Sequence, residues 1–174
     1  VTINSDAIVN KTYTSASNLS QIFGSQVTDY IIGDGVWGIG DYAFRACSSL
    51  TSVTIPNSVR SIGRETFNRC SNLKSITIPN SVIYIGISCF SLSGLSNVTI
   101  PNSVTSIAYE AFRECSSLTS VTIGNNLTSI GAQAFVNCSA LNAVYITDVA
   151  AWCGIVFTDY ASNPLYYAKK LYLN

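Results

Sequence analysis

The sequence predicts an α/β repeat solenoid, a right-handed stack of units of about 23 residues, each holding a short strand and a turn or short helix. A phenylalanine with nearly the same neighbours recurs every 22 or 23 residues. Apolar residues recur at fixed places after it, and three units carry a proline at one shared place. A constant period of this size is typical of supersecondary units that stack on one another. The five phenylalanines are Phe44, Phe67, Phe90, Phe112 and Phe135.

The strand of each unit is the segment L-x-x-V-x-I, whose alternation is typical of a strand with one buried face. Pro56, Pro79 and Pro101 come directly after three of these segments. Because proline cannot donate a ladder hydrogen bond, each strand is expected to end there. Further along each unit, a stretch such as 64–70 is expected to form a turn of α-helix or 3₁₀-helix that carries the phenylalanine inward. The predicted strands are residues 51–55, 74–78, 96–100, 119–123 and 142–146.

Residues 1–26 lie outside the repeat and are expected to form an N-terminal cap, because the first unit of a solenoid has no neighbour to cover it. The segment S-A-S-N-L-S-Q-I-F-G-S predicts a short helix within this cap. Its candidate capping residues are Ser17 and Asn18, and its candidate inward-facing residues are Leu19, Ile22 and Phe23.

The repeats are assigned to residues 27–146, and residues 147–174 are expected to form a C-terminal cap or a segment between repeat blocks. Asp148 is predicted to cap a short helix that carries Trp152. The final L-Y-L-N has the composition of a further strand. The chain starts at Val1 and contains no methionine, which indicates a processed or cloned piece of a longer protein.

Several blocks of the repeat resemble the BspA-like class of leucine-rich repeats. They are S-S-L-T-S-V-T-I-P-N-S-V, S-N-L-K-S-I-T-I-P-N-S-V and S-S-L-T-S-V-T-I-G-N-N-L, joined to S-I-G and A-F. The chain departs from the general leucine-rich consensus L-x-x-L-x-L-x-x-N-x-L, because the asparagine place holds Ser58, Ser81 and Ser103. A continuous buried asparagine ladder is therefore not expected. The resemblance implies an exported or cell-surface protein that adheres to extracellular matrix proteins.

The charge of the chain disfavours two classes of partner. Lys and Arg together number 9, as do Asp and Glu, so the net charge is zero. Only 10% of the residues are charged, against roughly 25% in ordinary proteins. A neutral, charge-poor surface suits neither a phosphate backbone nor an anionic lipid surface. We therefore expect no nucleic-acid partner and, since no apolar run reaches membrane-spanning length, no membrane insertion.

The cysteines follow the repeat register. Cys47, Cys70, Cys115 and Cys138 share one column, and Cys89 fills a small-residue place before Phe90. Stacked columns lie about 4.8 Å apart, so neighbouring pairs are within range of a disulfide. A buried, small apolar role explains the column without any bond, so all six thiols are expected to be free.

No pattern in the chain indicates catalysis. Histidine is absent, which removes the usual general base and the Ser/His and Cys/His pairings. The acidic residues recur at no catalytic spacing, and no phosphate-binding glycine loop is present. We therefore expect no enzyme activity, no cofactor and no metal site.

The outward face of the predicted strands is the candidate ligand surface. Side chains alternate along a strand, so the residues between the buried valines and isoleucines point outward. Tyr145 occupies the corresponding place at the C-terminal end. The candidate residues, called here the hydroxyl strip, are Ser52, Thr54, Ser75, Thr77, Asn97, Thr99, Ser120, Thr122 and Tyr145.

Three functions fit these observations. The first is a non-enzymatic, secreted or surface-anchored module that recognises an extracellular protein or glycan through the hydroxyl strip. The second is a structural spacer or stalk without a ligand of its own. The third is a carbohydrate-binding module, for which stacking aromatics are expected at the sugar site; the C-terminal tyrosines Tyr145, Tyr160, Tyr166, Tyr167 and Tyr172 are the candidates.

Overall fold

The computed structural model describes residues 1–14 and 18–174. They form a β-solenoid of about six turns with about 23 residues per turn and few helices, as the repeat predicted. One turn is called here a rung. The rungs have three sides: a first parallel sheet, to which all but one of them contribute a strand, a second parallel sheet, and a side made of tight turns.

The first sheet forms two parallel groups, β1-β2-β4 and β7-β9-β11-β13. Four of the five predicted strands are confirmed, each beginning one residue later than expected. The fifth prediction, residues 74–78, is wrong: this segment forms no strand and lies between the two groups. The strands are β1 (Thr2–Ile3), β2 (Asp29–Ile32), β4 (Ser52–Thr54), β7 (Asn97–Ile100), β9 (Ser120–Ile123), β11 (Ala143–Ile146) and β13 (Lys170–Leu173).

The second sheet has six parallel strands of two residues each, and the sequence reasoning did not predict it. Its order is β3-β5-β6-β8-β10-β12. Four of these strands end on the isoleucine of the S-I or Y-I pair of the repeat, which is buried. The strands are β3 (Gly38–Ile39), β5 (Ser61–Ile62), β6 (Tyr84–Ile85), β8 (Ser106–Ile107), β10 (Ser129–Ile130) and β12 (Val156–Phe157).

The third side of each rung consists of consecutive turns, which corrects the predicted turn of helix. Arg64–Arg69, for example, forms turns, with Glu65 and Arg69 at φ 49° and 62°. Two such left-handed residues, four positions apart, recur in five units. In the first four of these units both N–H groups bond to carbonyls of the next rung; that of Arg69 donates to the Ser91 carbonyl at 2.9 Å. This ladder offsets the roughly 1–2 kcal/mol that each left-handed residue costs.

The interior contains the columns that the sequence predicted. The five phenylalanines are fully buried and form one continuous stack, with ring centroids 5.2–5.4 Å apart and planes 6–9° from parallel. Leucine, valine and isoleucine columns surround them, and the four-membered cysteine column is buried as well. The rung spacing therefore sets the ring spacing, and each ring covers the next.

Serine replaces asparagine in the ladder of the turn that follows the first sheet. Ser58 Oγ donates to the Val36 carbonyl at 2.6 Å, and Ser81 Oγ donates to the Val59 carbonyl at 2.7 Å. Ser103 Oγ makes the same bond to Val82 at 2.6 Å. The expected absence of an asparagine ladder thus has a physical basis: the shorter serine side chain bonds directly to the preceding rung.

The N-terminal end is covered by β1 and two short helices, α1 (Asp6–Val9) and α2 (Leu19–Phe23). The Asn18 side chain caps α2, accepting hydrogen bonds from the N–H groups of Ser20 and Gln21. The alternative cap, Ser17, lies outside the described residues. Leu19 is buried as predicted, but Ile22 and Phe23 are exposed. The buried residues of this five-residue helix are Leu19 and Ser20, both in its first turn.

The C-terminal end is covered by α3 (Val149–Cys153), β12, β13 and two 3₁₀ turns, Tyr160–Ser162 and Pro164–Tyr166. Asp148 caps α3 as predicted, accepting from the Ala151 N–H at 2.9 Å. Trp152 of this helix is buried against the Phe157 ring. The predicted final strand is β13.

Candidate functional site

The hydroxyl strip runs across the first sheet in register. Asn97 pairs with Ser120, and Thr99 pairs with Thr122. The next rung continues both rows with Ala143 and Tyr145. On the other side of the broken sheet, Asp29 and Ile31 of β2 pair with the first residues of the strip, Ser52 and Thr54. The six strip residues from Ser52 to Thr99 are exposed, whereas Ser120, Thr122 and Tyr145 are half-buried.

The break in the sheet lies in the middle of this strip. Among the described residues, no backbone N–H of Ser75, Ile76, Thr77 or Ile78 donates a hydrogen bond. At the start of the segment, the Lys74 carbonyl still accepts from the Ser96 N–H at 2.9 Å. The ladder therefore stops just beyond Lys74 and resumes at the second sheet.

A pocket with a volume of about 570 Å³ lies at this break. Four strip residues line it, two of which belong to the unpaired segment. The lining contains no ionisable side chain. Ile76 is half-buried, whereas the equivalent Val98 is 2% exposed. The lining residues are Asn57, Ser75, Ile76, Thr77, Ile78, Pro79, Asn80, Asn97, Thr99 and Pro101.

A smaller pocket of about 210 Å³ continues this groove toward the C-terminal rungs, sharing Asn80, Thr99 and Pro101 with the first. It reaches Thr122 and Thr147. Five strip residues, Ser75, Thr77, Asn97, Thr99 and Thr122, are thus brought together in one uncharged groove of hydroxyl and amide groups with an isoleucine and proline floor. Ser52, Thr54, Ser120 and Tyr145 do not line it.

An asparagine column borders the groove, and the sequence reasoning did not include it in the site. At the C-terminal end, a side chain of this column bonds to the backbone of the next rung: Asn102 Oδ1 accepts from the Asn125 N–H at 2.8 Å. The Asn57 and Asn80 side chains line the larger pocket and make no hydrogen bond within the described residues. Their place, one residue before the serine ladder, was the available signal in the sequence.

The two ends of the strip differ in chemistry. At the N-terminal end, hydrogen bonds from Ser52 and Thr28 hold the pKa of Asp29 below its usual value. At the C-terminal end, the Tyr145 ring stacks on Tyr172 with centroids 4.9 Å apart. Tyr145 is therefore held by packing at the C-terminal end of the strip, and it lines neither of the two pockets.

The other tyrosine candidates form a separate cluster. The Tyr160 and Tyr166 rings lie 4.8 Å apart, and Tyr166 contacts Tyr167 edge-on at 5.0 Å. Tyr160 and Tyr166 are more than 60% exposed. These residues belong to the C-terminal 3₁₀ turns, whereas Tyr145 and Tyr172 belong to the first sheet.

The ion pairs between side chains in the described part of the chain lie on the side of tight turns and not on the strip. Arg45 Nε lies 2.8 Å from Glu65 Oε2, an ion pair without hydrogen-bond geometry. Arg113 pairs with Glu110 at 3.0 Å and with Glu114 at 2.9 Å. These pairs are partly exposed and each contributes only about 0–1 kcal/mol.

The buried thiols of the cysteine column are unreactive in this fold. Burial raises the pKa of the Cys115 thiol to about 11, and it raises the pKa values of Cys70 and Cys138 as well. A thiol with a raised pKa is a poor nucleophile at neutral pH. In the part of the chain that the structure describes, no cluster of three His, Cys, Asp or Glu side chains could hold a metal ion.

The fold and this surface define a repeat protein of the leucine-rich class, and comparison with known families agrees. Residues 37–159 match the BspA type leucine rich repeat region in six copies. The chain belongs to this family. A search of curated proteins finds no match.

Solved structures of bacterial leucine-rich repeat proteins resemble the chain. A leucine-rich repeat protein from Bacteroides ovatus is 31% identical with a TM-score of 0.71, over 84% of this chain and 37% of that one. The Treponema pallidum (T. pallidum) leucine rich repeat protein is 31% identical with a TM-score of 0.65, over 67% and 55%. The chain therefore spans between about a third and a half of the length of these relatives.

The pneumococcal vaccine antigen PcpA shares the fold at 22% identity, with a TM-score of 0.61 over 78% of this chain and 32% of that one. No helix among the described residues has the length and apolar character needed to cross a bilayer.

Proposed function

We propose that the chain is a non-enzymatic recognition module, displayed on a cell surface or secreted, that binds an extracellular protein through the hydroxyl strip. The observation that supports this most is the uncharged groove across the strip, whose pocket of about 570 Å³ is lined by Ser75, Thr77, Asn97 and Thr99. Family membership supports a repeat module for protein interaction.

The groove favours a protein ligand over the two other functions. Hydroxyl and amide groups above an isoleucine floor suit peptide groups and small apolar side chains, and a stalk without a ligand does not need a pocket. Sugar recognition is favoured only at the exposed Tyr160 and Tyr166, since stacking aromatics are absent from the pocket lining.

The test compares two double variants on an array of extracellular matrix proteins and an array of glycans. Thr77→Arg with Thr99→Arg places two long cations in the groove. Thr105→Arg with Thr128→Arg adds the same charge at exposed places beside the second sheet. All four residues are exposed, so each substitution is expected to alter the free energy of unfolding by less than about 0.5 kcal/mol, except Thr128→Arg, which also removes the Oγ1 hydrogen bond to the Thr105 carbonyl and costs up to about 1 kcal/mol.

We expect a matrix protein to bind the wild type and the Thr105/Thr128 variant and to lose binding to the Thr77/Thr99 variant. Undiminished binding by a folded Thr77/Thr99 variant would place the site elsewhere, with the Tyr160 and Tyr166 cluster as the next candidate. Binding of glycans alone would favour the carbohydrate-binding function. The absence of any ligand on both arrays would favour the spacer.

A further inference from the structure

Another pocket, of about 270 Å³, lies on the side of tight turns, away from the hydroxyl strip. It forms where a rung with short side chains lies between two rungs with long polar ones. At three equivalent places around the phenylalanine, the successive rungs carry Glu65, Asn68 and Arg69, then Ser88, Ser91 and Leu92, then Glu110, Arg113 and Glu114. The loss of side-chain length in the middle rung therefore creates this space, called here the turn-side pocket.

The wall of this pocket toward the N-terminus is cationic. Glu65 lies 2.8 Å from Arg45 and 3.4 Å from Arg64, so two arginines already share its charge. Arg69 is exposed and has no ion-pair partner among the described residues. Because a guanidinium presents a planar fork of donors, an unpaired arginine here matches the geometry of a carboxylate.

The wall toward the C-terminus is anionic. Arg113 lies 3.0 Å from Glu110 and 2.9 Å from Glu114, so one cation serves two carboxylates. The remaining negative charge lies two rungs from Arg69, and the rungs are 5.3–5.4 Å apart at their phenylalanines. The pocket therefore presents an excess positive charge on one wall and an excess negative charge on the other, with the uncharged rung between them.

The unpartnered amide of Asn68 indicates that the pocket is built for a polar ligand. Asn68 is only 6% exposed, and its Oδ1 has no hydrogen-bond partner in the described part of the chain. Buried polar atoms of native proteins nearly always have a partner. Since no hydrogen bond among the described residues holds this side chain, rotation about its last torsion turns either Oδ1 or Nδ2 toward the pocket.

We propose that the turn-side pocket binds a small zwitterion of the α-amino acid class. Arg69 holds its carboxylate, and its ammonium group faces Glu114 and donates to Asn68 Oδ1. A volume of about 270 Å³ is at the low end for ligand pockets, which suits a molecule of this size. The site and the hydroxyl strip lie on different sides of the solenoid, so this inference is independent of the proposed function.

Ligands that carry a single charge fit the two walls less well. A simple anion on Arg69 gains nothing from the carboxylates of Glu110 and Glu114, and a simple cation beside them is repelled by Arg69. Among the described residues, no group of three His, Cys, Asp or Glu side chains could hold a metal ion. A zwitterion supplies the opposite charge to each wall and a donor for the amide between them.

Calorimetric titration of the chain with the common L-α-amino acids, one at a time, tests the class of ligand. We expect at least one of them to bind with a Kd of about 0.1–1 mM, as befits so few ligand atoms. Its N-acetyl derivative lacks the ammonium charge and its methyl ester lacks the carboxylate, so each is expected to bind at least about tenfold more weakly. Equal binding of the N-acetyl derivative, or no binding of any amino acid, would overturn the inference.

A matched pair of arginine variants tests the cationic wall. Arg69→Gln removes the charge that holds the carboxylate. Arg60→Gln is the control, because Arg60 is also exposed and without an ion-pair partner in the described part of the chain, but lies next to the second sheet. We expect Arg69→Gln to weaken binding at least about tenfold and Arg60→Gln to change it less than about twofold. Equal losses would show an effect of net charge alone and contradict the site.

Asn68→Ser separates binding from stability, and serine is the residue that the next rung carries at the same place, Ser91. The substitution removes a buried acceptor that has no partner, so the melting temperature of the free chain is expected to stay unchanged or rise. Binding is expected to weaken at least about fivefold, the effect of one hydrogen bond. A lower melting temperature with an unchanged Kd would show a purely structural amide and overturn the inference.

Backbone amide shifts measured by NMR during the titration locate the bound amino acid. We expect shifts at Arg69, Leu92 and Glu114 and none at Thr77 and Thr99 of the strip. The Thr77/Thr99 arginine variant is expected to bind the amino acid as the wild type does, whether or not it loses a matrix protein, so the two proposals can fail separately. Shifts confined to the strip would place the amino acid in the groove and overturn the turn-side site.

Discussion

The phenylalanine stack shows how one residue type determines the packing of a whole rung. Phe67 lies between Phe44 and Phe90, with ring centroids 5.2 and 5.4 Å away and no exposed surface. At this separation two nearly parallel rings are offset, which is one of the favoured arrangements of aromatic pairs. Each ring therefore fills the space that the neighbouring rung cannot fill alone.

Phe67→Ala is expected to lower the free energy of unfolding by about 3–5 kcal/mol, because it removes a large side chain and leaves a cavity between two rungs. Phe23→Ala serves as the control, since that ring is 37% exposed at the surface of the N-terminal cap. Urea denaturation of the three proteins gives the comparison. A similar loss for both variants would show that the stack contributes no more than a surface ring.

The left-handed residues of the turn side provide a second test at the residue scale. Ala46 is exposed at φ 56°, and its N–H donates to the Asn68 carbonyl at 2.7 Å. Ala46→Gly relieves the clash of the Cβ while keeping this bond, so we expect a gain of about 0.5–1 kcal/mol. Ala46→Val is expected to destabilise, because a β-branched residue is less compatible with positive φ. Thermal unfolding measures both, and a stabilising valine would contradict the assigned backbone.

At the scale of the elements, the repeat predicted the strands better than the segments between them. Four strands of the first sheet followed from the alternation of side chains, because burial of one face is recorded directly in residue type. The turns were misassigned as helical, since Glu65 and Arg69 are good helix formers and nothing in their chemistry indicates positive φ. Their backbone is set by hydrogen bonds to the next rung, which a single unit does not contain.

For the candidate site, the sequence predicted which residues face outward but did not predict the pocket. Alternation placed Thr77 and Thr99 on the outward face, and the structure exposes both. The pocket between them was not predictable, because the segment 74–78 has the same strand pattern as its neighbours and differs only in its hydrogen bonds. The asparagine column was visible in the sequence but belongs to a turn, where orientation depends on the backbone.

The burial of the cysteines leads to a prediction about which thiols react in the native protein. Five cysteines are buried and one, Cys153 of α3, is exposed. Burial disfavours the thiolate and raises the pKa of the buried thiols, so only Cys153 is expected to react rapidly with a thiol reagent in the native protein. In denaturant without reductant we expect six reactive thiols. A count of two or four would show bridged neighbours and indicate an oxidising compartment.

At the scale of the whole molecule, the solenoid depends on its ends, because every internal rung is covered on both sides and a terminal rung is not. The last phenylalanine rung continues its ladder into the C-terminal segment, where the Phe135 N–H donates to the Ala161 carbonyl at 3.1 Å. Both sheets continue as well: Ile130 pairs with Phe157, and Val144 pairs with Leu171. Residues 148–174 therefore replace a full rung on all three sides.

Deletion of residues 148–174 is expected to expose the last phenylalanine and the valine and isoleucine columns, and so to cause association or loss of the cooperative transition. Deletion of residues 170–174 alone is the control, because all four residues of β13 are exposed and the second sheet and turn side remain covered. Light scattering and binding of an apolar dye report the difference. A monomeric, cooperatively folding 1–147 fragment would show that the last repeat covers itself, and the C-terminal segment would then be free to act as a binding element through Tyr160 and Tyr166.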